Sequence, residues 1–216
     1  MKLIKLAPAT ILLAGFLSQA LADEYQDTIS KAFPGYRILR PSDIKLDKDE
    51  MNQEIYNQVK DHPGLVVGKI NSDDITDFAA LIRGSTITHI AENRARGVIG
   101  IDFYEGYLVV CLGRAKGKYD CRKMNESPMR ITVPHDVFLA KMSPREQDCL
   151  VSGKFRPPKP APDPNLGFDP KAEPSTGSVR ISFATDAIGL FQTLGPGDIV
   201  YIYQPKGMYL ECIISD

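Results

Sequence analysis

Several features that mark common catalytic and nucleic-acid-binding proteins are missing from this chain. Its 216 residues carry 26 basic against 27 acidic side chains, a net charge of −1, and nucleic-acid binding needs a basic footprint, so composition argues against that partner. Basic residues do gather at Arg114, Lys116, Lys118, Arg122 and Lys123, where the flanking strand patterns point to a solvated hairpin tip. The three histidines, His62, His89 and His135, lie far apart and in no His-Glu-x-x-His arrangement, so no zinc site is legible. Ser85, Ser127 and Ser152 lack the Gly-x-Ser-x-Gly elbow of a hydrolase nucleophile. There is no Cys-x-x-Cys pair of the thiol-exchange kind, and no repeat period of the kind that builds a solenoid or propeller. Past residue 22, no apolar stretch approaches the ~20 residues of a membrane-spanning helix.

What is present begins with a leader. Lys2 and Lys5 precede the apolar run Ile11–Leu17, and Ala20-Leu21-Ala22 supplies the small residues that a signal peptidase needs. Residues 1–22 therefore read as a cleavable signal peptide cut before Asp23. The expected product is residues 23–216, periplasmic or secreted, with no stable membrane insertion after cleavage. Because both leader lysines are lost, the product keeps 24 basic residues against 27 acidic, a net charge of about −3.

All four cysteines, Cys111, Cys121, Cys149 and Cys212, follow the leader, and an even count in an exported chain reads as disulfides. Cys111 ends the run Tyr107–Val110 and Cys121 follows Lys118–Asp120, with Gly113 and Gly117 between; a hairpin there sets the two cysteines opposite each other. Elimination then pairs Cys149 with Cys212, closing a loop of roughly 60 residues that contributes ~4 kcal/mol on the chain-entropy model.

Tyr25, Ile29 and Phe33 fall on one helical stripe that Pro34-Gly35 ends, and Met51, Ile55 and Val59 repeat the spacing ahead of Pro63-Gly64. Arg37–Pro41 reads as a brief extended piece. From Leu65 the pattern turns to short strands: 65–70, 77–82, 98–103, 107–112 and 119–124, then 129–133, 179–184, 198–203 and 208–214. Residues 84–97 suit one helical turn or an irregular crossing, and Glu105-Gly106 reads as a hairpin turn. Ser143-Pro144-Arg145-Glu146 has the form of a capped helix start. Residues 156–178 hold seven prolines without apolar periodicity, the mark of an extended loop inserted between strands. Gln204-Pro205-Lys206-Gly207 reads as a tight turn.

The fold class that follows is α+β: one or two N-terminal helices on a mostly antiparallel β-sheet, in a single disulfide-stapled domain.

One segment carries chemistry. Asn71, Asp73 and Asp77 alternate amide and carboxylate in a loop between two apolar strands, a spacing that can aim oxygens inward as calcium loops do. With Phe78-Ala79 following, the loop resembles the single acidic loop of FG-GAP and VCBS repeats. That resemblance implies Asn71, Asp73 and Asp77 as calcium ligands. The chain departs from the family at Lys69, where the first Asp belongs, and at Asp74, where a turn glycine belongs. A metal-free turn, with the Lys69 ammonium among Asp73 and Asp77, is the competing expectation.

The functional expectation is a non-catalytic binding or interaction protein, its partner an unidentified protein or envelope component. Two alternatives are a calcium-stabilised extracellular module and an envelope-acting hydrolase, for which Asp73, Asp77, Asp102 and Glu105 would have to converge.

Overall fold

The computed structural model describes residues 23–49, 51–94, 97–133, 135–150, 178–192, 198–204 and 208–214. Residues 1–22, expected to be a leader, residues 156–177 of the proline-rich segment, and Pro205–Gly207 of the expected tight turn lie outside these residues. The mostly antiparallel α+β class is as expected, but the strands form two sheets rather than one.

Helix α1 covers residues 23–32. Its Tyr25 and Ile29 are buried, one turn apart on the same stripe, and burying two such side chains contributes ~1.5–3 kcal/mol each. The helix stops where Gly35 adopts a positive φ of 85°, a left-handed step that glycine takes without steric cost. Strand β1 (Tyr36–Ile38) and a 3-10 turn (Pro41–Asp43) follow. Helix α2 (Gln53–Val59) starts on Asn52, whose side chain accepts from the amides of Glu54 and Ile55.

In the first sheet β3 (Asp77–Arg94) pairs with β4 (Gly97–Arg114). The far edge of β3 carries β1 and β2 (Leu65–Gly68), and the far edge of β4 carries β5 (Lys118–Lys123) and β6 (Met129–Ile131). The second sheet runs β7 (Val137–Met142), β10 (Ala187–Gln192), β11 (Asp198–Gln204), β12 (Met208–Ile214), β8 (Arg145–Leu150) and β9 (Ser178–Phe183), antiparallel throughout. Leu150 pairs with Ser178, so the residues on either side of 151–177 stand opposite each other on neighbouring strands.

The two-residue side-chain period of strands sorts the core. Phe78, Ala80, Ile82, Tyr107, Val109 and Cys111 face α1. The alternate residues Ala79, Leu81, Leu108 and Val110 face the second sheet and share one core with Phe138, Leu139, Ile188 and Val200. Three layers result: α1, first sheet, second sheet. The sheets are also sewn along one side. Leu139 N–H donates to Pro63 O at 2.7 Å and Asp186 N–H to Lys69 O at 3.0 Å, while the Asp186 carboxylate accepts from Lys69 N–H at 2.9 Å.

Three local expectations are corrected. Ser143-Pro144 leads into strand β8 at Arg145 rather than into a helix, because Gln147–Leu150 carries no helical apolar stripe to bury and instead pairs with β9. The described residues of 84–97 hold no helix; β3 runs through to Arg94 with a register irregularity between Arg83 and Ile87. Glu105-Gly106 is no turn but mid-strand. The glycine is needed for packing: a Cβ on Gly106 would lie 2.0 Å from Ile131 Cδ1 and 3.0 Å from Ile82 O.

The Cys111–Cys121 disulfide is present, and the two residues stand opposite each other in the β4–β5 register. Cys212 is buried and disulfide-bonded. The side chain of Cys149, its expected partner, lies outside the described residues, although β8 and β12 are neighbours through Leu150 and Ile213.

Candidate functional site

The acidic loop closes on itself. Asp77 is fully buried at the start of β3. Its Oδ2 accepts from the amides of Ile70 at 2.9 Å and Asn71 at 3.0 Å, and its Oδ1 from Gly113 N–H at 2.8 Å. Asn71 Oδ1 accepts from Asp73 N–H at 2.9 Å, which fixes the amide so that Nδ2 donates to Asp73 Oδ2, also at 2.9 Å. Asp73 Oδ1 takes Ile75 N–H at 2.9 Å. Burial pushes the Asp77 carboxyl up; the amides of Asn71, Gly113 and Ile70 pull against this, nearby Asp73 adds to it, and the net direction is upward.

Asn71, Asp73 and Asp77 are thus brought together, but their oxygens already hold amide donors that a cation would have to displace. Among the described residues no three His, Cys, Asp or Glu side chains gather as a metal would need. Lys69 is not the internal counter-ion expected for Asp73 and Asp77. Its Nζ pairs with Asp74 Oδ1 at 2.8 Å on the surface, because the buried Asp77 is saturated by backbone while Asp74 is open to water.

Of the four carboxylates of the hydrolase reading, Asp73 and Asp77 share the acidic loop, while the other two lie far along the sheet. Asp77 lies at one end of β3, beside Phe78, which pairs with Cys111. Glu105 and Asp102 lie six and nine residues further back along β4, about 20 and 30 Å away at the usual strand rise. Asp102 is exposed and meets His89, Nδ1 to Oδ1 2.8 Å, across the hairpin. A cleft of about 300 Å³ beside α2, lined by Val59, His62, Val66, Leu139 and Lys141 among others, holds none of them.

The feature that stands clear of the sandwich is the distal β3–β4 hairpin. β1 reaches β3 only as far as Gly84, and β6 reaches β4 only as far as Tyr104. Seven further pairs, Thr88↔Phe103 to Arg94↔Gly97, continue with no third strand among the described residues. At the usual rise this arm extends ~23 Å.

Its root is gripped on both faces. On the side of the second sheet, Arg83 lies with its guanidinium 4.0 Å from the Tyr104 ring centroid and reaches Asp43 Oδ1 at 3.4 Å. Arg37 binds the same carboxylate in bidentate fashion, at 2.6 and 2.7 Å, and Arg40 N–H donates to it at 2.8 Å. Burial pushes the Asp43 carboxyl up, but the Arg37 hydrogen bonds, the Arg40 amide and the charges of Arg37 and Arg83 outweigh it and hold the carboxyl below its ordinary value. On the α1 side, Glu105 Oε1 accepts from Tyr36 at 2.9 Å and Tyr107 at 2.7 Å. Burial and the hydrogen bond to Glu105 push the Tyr36 hydroxyl up to about 12.

Sequence reasoning missed this root. One signal was available: Arg83 continues the inward-facing series Ala79, Leu81, and an arginine on a core face requires a buried partner.

No family model, curated protein or solved structure matches the chain.

Proposed function

We propose that this chain is an exported, non-catalytic binding protein that engages a polypeptide partner through the β3–β4 arm. The observation that carries the reading is the seven-pair ribbon beyond β1 and β6. A two-stranded hairpin alone is marginally stable in water, and its outer edges present unpaired amides and carbonyls, the template for strand addition. The rigid root supports this role by fixing the direction of the arm. Export is the companion proposal: the leader motif and the Cys111–Cys121 bond both suit an oxidising compartment outside the cytoplasm.

The test compares oxidised residues 23–216 with a variant in which residues 88–103 are replaced by Asn-Gly, closing the hairpin at its root. Each is immobilised and exposed to envelope extract and culture supernatant. The expected outcome is an unchanged melting temperature with loss of a protein that the parent retains and that protects amides of β3 or β4 from hydrogen exchange. A partner held equally by both proteins, or protection elsewhere, sinks the reading. Turnover of envelope material by the parent would revive the hydrolase alternative.

A further inference from the structure

Three aromatic rings gather around one lysine on the α1 side of the first sheet. Phe33 follows directly on α1, Tyr36 comes from β1, Tyr107 from β4, and Lys123 from the end of β5. The Lys123 ammonium lies 3.4 Å from the Tyr107 ring centroid, 5.4 Å from that of Tyr36 and 6.0 Å from that of Phe33. The tyrosine rings stand edge to face, centroids 5.8 Å apart, and both hydroxyls donate to the one Glu105 oxygen. Three π-faces with a carboxylate behind them are the composition by which proteins recognise alkylated ammonium groups.

We propose that Phe33, Tyr36, Tyr107 and Glu105 form a recognition site for an alkylammonium group, with Lys123 as its resident plug. The rings do not depend on the plug: Glu105 ties Tyr36 to Tyr107, and Tyr107 is buried in the α1-facing core. Withdrawing Lys123 leaves a preorganised cage, the condition under which a small ligand binds at least cost. Lys123 is exposed and ends its strand, so its flexible stem can turn into solvent without disturbing the sheet. A quaternary ammonium ion suits these rings when seated further from Tyr107 than Nζ is, because it needs ring faces and countercharge but, unlike lysine, no hydrogen-bond acceptor. The site shares Tyr36, Glu105 and Tyr107 with the root of the arm but takes no residue from the ribbon beyond it, so it does not rest on what the ribbon binds.

Tetramethylammonium chloride is the probe, titrated into residues 23–216 and into Lys123→Ala while tyrosine ring resonances are followed by NMR, with potassium chloride at equal ionic strength as control. The expected result is saturable movement of Tyr36 and Tyr107 signals, at least tenfold tighter in Lys123→Ala than in the parent. Adding Glu105→Gln to Lys123→Ala should weaken binding several-fold, with circular dichroism reporting an intact fold. A response that does not saturate, that potassium reproduces, or that is equal in parent and Lys123→Ala overturns the proposal. Given saturable binding, sedimentation of Lys123→Ala with phosphatidylcholine but not phosphatidylglycerol vesicles assigns a lipid headgroup, and no sedimentation assigns a soluble ammonium compound.

Discussion

Asp43 and Asp77 are both carboxylates buried in the sandwich, yet they respond to pH with opposite sign. Asp43 is held below its ordinary value, so the unfolded chain takes up its proton first on acidification. Its contribution is complete above the ordinary carboxylate value and is lost as pH falls through the folded one. Asp77 is pushed above its ordinary value, so its contribution diminishes as pH rises through that folded value. Asp43→Asn leaves Arg37 and Arg83 without a countercharge and should cost ~3 kcal/mol at pH 7. The gap between parent and variant should shrink as pH drops toward 3. Urea unfolding at stepped pH measures this, and a gap independent of pH would mean that Asp43 is not charged in the fold. Asp77→Asn replaces one acceptor oxygen by a donor facing backbone amides and should cost ~1–3 kcal/mol. The same hydrogen bonds bear on calcium. With Asn71, Asp73 and Asp77 engaged by amides, melting in excess calcium and in chelator should coincide; a rise in calcium that Asp73→Ala abolishes would reinstate the ion site. The chemistry of Asn71, Asp73 and Asp77 was legible as a turn that gathers oxygens. What fills those oxygens was not, because Gly113 approaches Asp77 from another strand.

At the scale of elements, the β4–β5 hairpin is the best-read part of the chain. Two glycines between the apolar run Tyr107–Val110 and Lys118–Asp120 predicted a hairpin with the cysteines opposed, and Cys111 stands opposite Cys121. Replacing both cysteines by serine opens a ten-residue separation and should cost ~3 kcal/mol on the chain-entropy model. The loss should appear in denaturant titration and as faster amide exchange in β5, with β10 and β11 the last to respond; uniform acceleration would mean that the bond acts on the whole sandwich. Other strands were harder to read for identifiable reasons. β7 is Val-Phe-Leu-Ala-Lys-Met with all but Lys141 buried, so no alternation marked it, and β10 is similarly enclosed. β3 and β4 were cut short because the stretch from Gly84 suits a helical turn or an irregular crossing and Glu105-Gly106 imitates a hairpin turn. The first lies within an irregular register and the second gives space to Ile131, demands that come from neighbouring strands. The arm was lost with those cuts, since a break at Glu105 divides the ribbon from its root.

For the whole molecule, the question is whether two sheets make one folding unit. They share a continuous core that joins Leu81 and Val110 to Leu139, Ile188 and Val200, and a seam in which Asp186 grips both backbone groups of Lys69. A shared core favours all-or-none unfolding, whereas the seam adds only a few hydrogen bonds, each worth ~1 kcal/mol net. Native-state hydrogen exchange should therefore give Leu81 and Val110 the same opening free energy as Leu139 and Ile188. Asp186→Ala should lower both together, by ~1–3 kcal/mol. The arm is expected at the other extreme, because the Thr88–Arg94 and Gly97–Phe103 amides have no third strand among the described residues and should open locally at little cost. Separate plateaus for the two sheets in the parent would make the sandwich two units joined at a seam. Plateaus that separate only in Asp186→Ala would make that one carboxylate, and not the core, what couples them.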